Sequence, residues 1–218
     1  MQFRVQVSSR VAQKARIAGN VLLVGAVAVA TTFGGAAKPV QHDAKSTPTQ
    51  SRYITAAGLR FTLPKDWIRM SQDELPASKE TGSKTRIVAG ACVDRSGTGS
   101  CGLDVTYMLA GENSEMPGLA TLQEYLMQQL PGQLKGVKVL SSEFGRTNEG
   151  TRMLQHEISF IRNGQQWNEL VTAFRIDTEG VFVIAAGPQT EYQKHRESLL
   201  RKLREAQSVP DGDTDGMK

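Results

Sequence analysis

Between Val137 and Gly187 the chain alternates long β-forming runs with short polar breaks, and this spacing constrains the fold more than any other feature. The runs are Val137 to Arg146, Thr151 to Arg162, Gln166 to Asp177 and Val181 to Gly187, separated by Asn-Glu-Gly, Asn-Gly and Glu-Gly. They predict an antiparallel meander. Asn163 and Gly164 both tolerate the positive φ that a two-residue type I′ turn demands, so this break sets the register of its hairpin. Counting outward pairs Phe160 with Trp167, Ile158 with Glu169, His156 with Val171 and Leu154 with Ala173 on one side. That side is mostly apolar and calls for a helix above it. The other side, with Met153, Gln155, Leu170 and Phe174, either supports a second helix or forms a partner surface.

Upstream, Tyr53-Ile54 and Leu59 to Leu63 flank Ala-Ala-Gly and predict a short hairpin that ends at Pro64-Lys65-Asp66-Trp67, a turn with a buried tryptophan. Arg86 to Val93 and Leu103 to Leu109 read as two antiparallel strands. Thr121 and Glu124 have capping-box spacing, Leu122, Leu126 and Leu130 repeat at helical intervals, and Pro131-Gly132 stops the segment. A final helix over about Thr190 to Ala206 carries Tyr192, Leu199 and Leu203 along one stripe.

The N-terminal segment supplies an address. Arg4, Arg10, Lys14 and Arg16 precede an apolar run from Val21 to Ala37 with no acidic residue before it. Cations ahead of such a run hold the N-terminus in the cytoplasm, and the remainder of the chain is expected on the far side of the inner membrane. Residues 1–37 therefore read as a signal peptide, with small-residue cleavage sites at Ala28-Val29-Ala30 and Gly35-Ala36-Ala37, or as an uncleaved anchor. No cysteine lies in this segment, so no lipobox is present. Residues 38–51 form a polar tether, 52–207 one α/β domain, and 208–218 an acidic tail expected to be disordered.

Removing the leader changes the meaning of the charge. The chain carries 26 Lys and Arg against 22 Asp and Glu; four of the cations belong to the leader, which leaves 22 against 22. The pI near 9.1 is thus a property of the targeting segment and gives no ground for a nucleic-acid partner. Cys92 and Cys101, the two cysteines, bracket a Gly/Ser-rich stretch, and in an oxidising compartment they are expected to pair as a disulfide. Without a cluster of His or further Cys they do not make a zinc site.

The element order, together with Phe61-x-Leu63-Pro64-x-x-Trp67 and the helix carrying Leu122-Gln123-Glu124-Tyr125-Leu126, resembles the PsbP-like superfamily across Tyr53 to Ala206. That superfamily includes the photosystem II extrinsic PsbP protein, DcrB-type bacterial envelope proteins and a group of Ran-binding nuclear factors. The resemblance implies an α+β sandwich, an antiparallel sheet with a helix packed on each face, that works as a binding or assembly module. Many bacterial relatives carry a lipobox, which this chain lacks. Other relatives act as cytoplasmic chaperones for type VI secretion effectors, a job the leader speaks against.

Few residues suggest chemistry. His156 lies on the apolar side of its strand and diagonal to Glu169, so the two could serve as a general base with its orienting carboxylate, or as a core histidine satisfied by a neighbour. No Gly-x-Ser-x-Gly elbow supplies a nucleophile. His42 sits in the tether and His195 on the charged flank of the last helix. Asp211 to Gly216 matches the first half of a calcium loop without the closing Glu, and Ser96 to Gly99 lacks the lysine and helix of a phosphate loop. The cations of the last helix, Lys194 to Arg204, are a solvated face or a contact for anionic headgroups.

The expected protein is accordingly a non-enzymatic binding or assembly module. It is periplasmic or inner-membrane anchored, has a protein partner in the envelope, and needs no cofactor or metal. An immunity or adaptor protein for a secreted toxin or type VI effector, and a small hydrolase built on His156 and Glu169, are the alternatives.

Overall fold

The computed structural model describes residues 52–71, 74–75, 85–96, 101–110, 116–129, 134–176 and 179–209. The expected leader (1–37), tether (38–51) and all of the tail from 210 onward lie outside the described residues, as do His42, the half calcium loop at Asp211 to Gly216 and the helix stop at Pro131-Gly132.

Among the described residues, ten strands and two helices succeed one another as β1 (Tyr53–Ala56), β2 (Leu59–Thr62), β3 (Trp67–Arg69), β4 (Thr85–Val93), β5 (Leu103–Ala110), α1 (Leu119–Gln129), β6 (Lys138–Arg146), β7 (Arg152–Arg162), β8 (Gln165–Ile176), β9 (Glu179–Pro188), α2 (Gln189–Arg204) and β10 (Gln207–Ser208). Seven strands form the main antiparallel sheet in the order β3-β4-β5-β9-β8-β7-β6, and β1, β2 and β10 form a small second sheet. The meander is present as expected. Asn163 and Gly164 have φ of 50° and 78°, and the β7–β8 register pairs Phe160 with Trp167, Ile158 with Glu169, His156 with Val171 and Leu154 with Ala173. The meander turns back on the β4–β5 pair, because β9 pairs with β5 from Asp104↔Ala186 to Leu109↔Val181.

Alternate residues of the central strands point to opposite sides, and each side has its own apolar cluster. On one, Leu122 and Leu126 of α1 pack with Leu154, Ile158, Val171 and Ile184. On the other, Tyr192, Leu199 and Leu203 of α2 pack with Met153, Leu170, Phe174 and Val183, joined by Ile54, Leu59 and Phe61 of the β1–β2 hairpin. The mixed side of the meander is therefore the floor beneath α2. Each fully buried aliphatic or aromatic side chain in these clusters contributes about 1.5 to 3 kcal/mol relative to exposure, before conformational entropy is counted.

Two local expectations are corrected. The helix α1 begins at Leu119, two residues ahead of the expected cap at Thr121: the Leu122 amide donates to the Gly118 carbonyl at 3.0 Å, so the helical ladder opens directly after Pro117-Gly118. Thr121 is then an exposed residue of the first turn, and Glu124 accepts from Gln128 Nε2 at 3.2 Å instead of reaching back to a cap. At the far end, Gln207 and Ser208 pair with Arg60 and Leu59 of β2, so the ordered domain extends past Gln207.

Candidate functional site

Among the buried polar groups of the main sheet, three groupings of titratable residues stand out among the described residues. Beneath α1, His156 is 0% exposed. Its Nδ1 lies 3.0 Å from Ser142 Oγ of the neighbouring edge strand, and Gln123 Nε2 of α1 donates to Ser142 O at 2.9 Å and to Ser142 Oγ at 3.2 Å. With its hydroxyl oxygen accepting from Gln123, Ser142 can donate to Nδ1, which assigns the neutral Nε2–H tautomer to the imidazole. Burial lowers the His156 pKa to about 4, so the ring is neutral at neutral pH. His156 Nε2 has no hydrogen-bond partner among the described residues. A serine hydroxyl thus does stand beside the histidine, a neighbour that counting along the β7–β8 hairpin could not supply because it comes from β6.

Glu169 lies on the same side of the sheet but belongs to a different cluster. Along one cross-strand row, Asp104 of β5 faces Ala186 of β9, and Ala186 faces Glu169 of β8. Both carboxyls are buried, each flanking the small alanine methyl. Burial raises both to about 7, against the pull of the Arg162 guanidinium on each and of Arg95 on Asp104. Arg162 itself stacks over the Trp167 ring at 4.6 Å. Asp104 Oδ1 and Glu169 Oε1 lack hydrogen-bond partners among the described residues. Sequence reasoning missed Asp104. Its signal was a lone acid inside the run Leu103 to Tyr107, which becomes buried on both sides only because β5 is an interior strand.

Beneath α2, Glu157 accepts from Arg196 in a two-pronged pair, and Ser141 Oγ approaches Glu157 Oε2 at 3.5 Å. Other cations of α2 also meet carboxylates, Lys194 with Glu191 at 2.7 Å and Lys202 with Glu205 at 2.6 Å. His195 Nε2 lies 2.8 Å from Asp94 Oδ2, and with Glu191 these two residues form the one group among the described residues whose ligand atoms converge as a metal site requires. Cys92 and Cys101 are joined as a disulfide, with Cα atoms 5.3 Å apart. Trp67 is buried in the core, its amide donating to the Pro64 carbonyl at 3.2 Å.

A cleft of about 330 Å³ lies between α2 and the β6–β7 turn, lined by Asn148, Glu149, Lys202, Glu205 and Gln207, away from both His156 and Glu169. Five large apolar side chains are exposed among the described residues, Ile68 on β3, Met127 on α1, Leu140 and Phe144 on β6 and Ile161 on β7. Phe144 (55% exposed) and Leu140 (48%) belong to β6, an edge strand of the main sheet, and Met127 (46%) lies one helical turn beyond Gln123, the α1 residue that bonds to β6. No helix among the described residues is long and apolar enough to cross a membrane.

No family model and no curated protein matches this chain. Solved structures do. Cyanobacterial PsbP from Synechocystis aligns over 76% of this chain and 99% of its own, with a TM-score of 0.52 and 9% identity. LpqN of Mycobacterium tuberculosis, described as involved in cell envelope biogenesis, aligns over 70% and 83% with a TM-score of 0.44 and 12% identity. The Ran-binding protein Mog1p of Saccharomyces cerevisiae aligns over 70% and 90% with a TM-score of 0.43 and 10% identity. The chain has the PsbP-like α+β fold. At 9% identity the likeness to cyanobacterial PsbP is one of fold, and fold alone does not carry function.

Proposed function

We propose that this chain is a non-enzymatic binding or assembly module of the cell envelope, which receives a protein partner along the edge strand β6. The observation that carries the reading is the exposed trio Met127, Leu140 and Phe144 on α1 and β6. A sheet edge offers a row of backbone donors and acceptors, and natural proteins usually blunt such an edge with charge or cover it. On β6 the exposed apolar Leu140 and Phe144 alternate with the charged Lys138, Glu143 and Arg146, a mixed edge that suits addition of an extended segment of another protein: main-chain bonds supply affinity and contacts to alternate side chains supply specificity. The Cys92–Cys101 disulfide and the basic, then apolar, N-terminal segment support a location outside the reducing cytoplasm. The burial of His156 and its lowered pKa weigh against base catalysis there.

The test is affinity capture of the tagged full chain, expressed at native level, from a cross-linked envelope fraction. An envelope protein should be retained by the wild type and lost from Phe144→Asp and Leu140→Asp variants whose thermal unfolding is unchanged. Capture that both variants preserve, or the absence of any retained envelope protein, would refute the reading. A stoichiometric complex with a secreted toxin or type VI effector would assign the adaptor role in its place.

A further inference from the structure

We infer that Asp94, Glu191 and His195 form a binding site for a divalent first-row cation of the zinc type, where the cysteine-closed loop meets the first turns of α2. The three ligand atoms, one from each side chain, all lie within 4.8 Å of one another, and His195 Nε2 and Asp94 Oδ2 are 2.8 Å apart. Ligands bound at about 2.0 to 2.2 Å around one zinc ion stand roughly 3 to 4 Å from each other. Small side-chain rotations therefore suffice to replace the imidazole–carboxylate hydrogen bond with two bonds to a shared cation.

The two elements present these groups in a fixed way. Glu191 and His195 are four residues apart on α2, so they project from one helical face a turn apart. Asp94 leaves β4 with φ of 49°, and the loop base behind it is closed by the Cys92–Cys101 disulfide and by the Gly102 amide, which donates to the Val93 carbonyl at 2.9 Å. Gly102 also makes the room. A Cβ at that position would come within 3.3 Å of Asp94 Cβ and 3.5 Å of Glu191 Oε2, so a side chain there would press into the space the ligands share.

The donor set selects the metal. One imidazole nitrogen with two carboxylates suits zinc and its first-row neighbours, whereas magnesium and calcium prefer oxygen alone. Two carboxylates neutralise a divalent charge. Asp94 is exposed and the other two ligands are half-buried, so water or a donor from a partner can complete the coordination. Lys194 Nζ, which bonds both oxygens of Glu191 at 2.7 and 2.9 Å, is the internal cation that zinc displaces. Its side chain is exposed and can swing into solvent.

The experiment is titration of the purified, oxidised full chain with zinc chloride by isothermal calorimetry, in parallel with thermal unfolding. One zinc per chain is expected, with a raised unfolding temperature. His195→Ala and Glu191→Gln should weaken binding by at least the roughly 10- to 100-fold that losing a supporting outer-shell group already costs. His42→Ala, in the tether, should leave it unchanged. Far-UV circular dichroism of each variant without zinc establishes that it folds, and Glu191→Gln keeps shape and volume if His195→Ala does not. Absence of saturable binding, binding indifferent to both site variants, or binding lost in His42→Ala would each overturn the assignment.

Discussion

Arg196 of α2 reaches down to Glu157 of β7, with Nε 2.9 Å from Oε1 and Nη2 2.7 Å from Oε2, and this pair ties the last helix to the sheet. The partners are unequally covered: the Glu157 side chain is 3% exposed and that of Arg196 30%. Removing the arginine strands a carboxylate in the interior, whereas removing the acid strands a guanidinium that water can still reach. Arg196→Ala should therefore cost about 3 to 5 kcal/mol and Glu157→Gln clearly less. Replacing both with apolar residues of similar volume, Glu157→Leu with Arg196→Met, should recover most of the loss. Urea unfolding at neutral pH measures all three, and equal single-variant losses would contradict the argument.

Asp104 and Glu169 predict a pH dependence of opposite sign to that of an ordinary ion-paired acid. Their ordinary values are 3.8 and 4.5, and burial lifts both to about 7 in the folded chain. Through that window the native state holds protons the unfolded chain has released, so their contribution to stability is full at acid pH and is lost as pH rises through about 7. His156 acts the other way. Its pKa falls from 6.5 to about 4 on folding, so its contribution is full above 6.5 and is lost as pH falls toward 4. Asp104→Asn and Glu169→Gln should each leave stability little changed at about pH 4 and raise it increasingly toward about pH 8. Urea midpoints across that range decide it; variants that lose stability at the alkaline end would show that the carboxylates are held charged.

What the sequence disclosed and what it hid divide along sequence distance. The Asn163-Gly164 turn, the period-two alternation of β7 and β8 and the Leu122–Leu126 spacing of α1 are local signals, and the structure follows them down to the His156↔Val171 pair, whereas the equally local capping signal at Thr121 placed the helix start two residues late. The pairing of β5 with β9 joins residues some eighty positions apart and had no local signature, and the same holds for β10 closing onto β2. Asp104, Glu157 and Asn168 are buried because neighbours arrive on both sides of an interior strand. A single acid in an apolar run looks no different when one side of its strand faces water. The convergence of Asp94 on His195, 101 residues away in sequence, is hidden for the same reason.

The Ser142–His156 contact separates a structural network from a catalytic one. Ser142→Ala removes both part-buried hydrogen bonds of the hydroxyl, the one to His156 Nδ1 and the one it accepts from Gln123 Nε2, and should cost about 1 to 3 kcal/mol. His156→Leu fills a similar space and removes a ring nitrogen that lacks a partner among the described residues, so it should be close to neutral at pH 7 and stabilising on acidification. Both variants should retain the envelope partner undiminished. Loss of a measurable ester- or amide-hydrolysing activity in the two variants together, with folding intact, would instead make the pair a nucleophile and its base.

The disulfide joins residues nine positions apart, and Cys92 is fully buried at the end of β4. Closing a loop of that size restricts the unfolded chain by about 2 to 3 kcal/mol. A Cys92→Ala, Cys101→Ala double variant should lose about that much. Its effect should also reach beyond the loop, because the same crosslink carries Asp94 toward His195 and Glu191 at the start of α2. Hydrogen exchange offers the check: amides of the first turns of α2 should exchange faster in the variant, while those at the β7–β8 turn, on the far side of the sheet order, stay as they were. Uniform acceleration over both regions would mean that the crosslink stabilises the domain only globally, with no local hold on the α2 N-terminus.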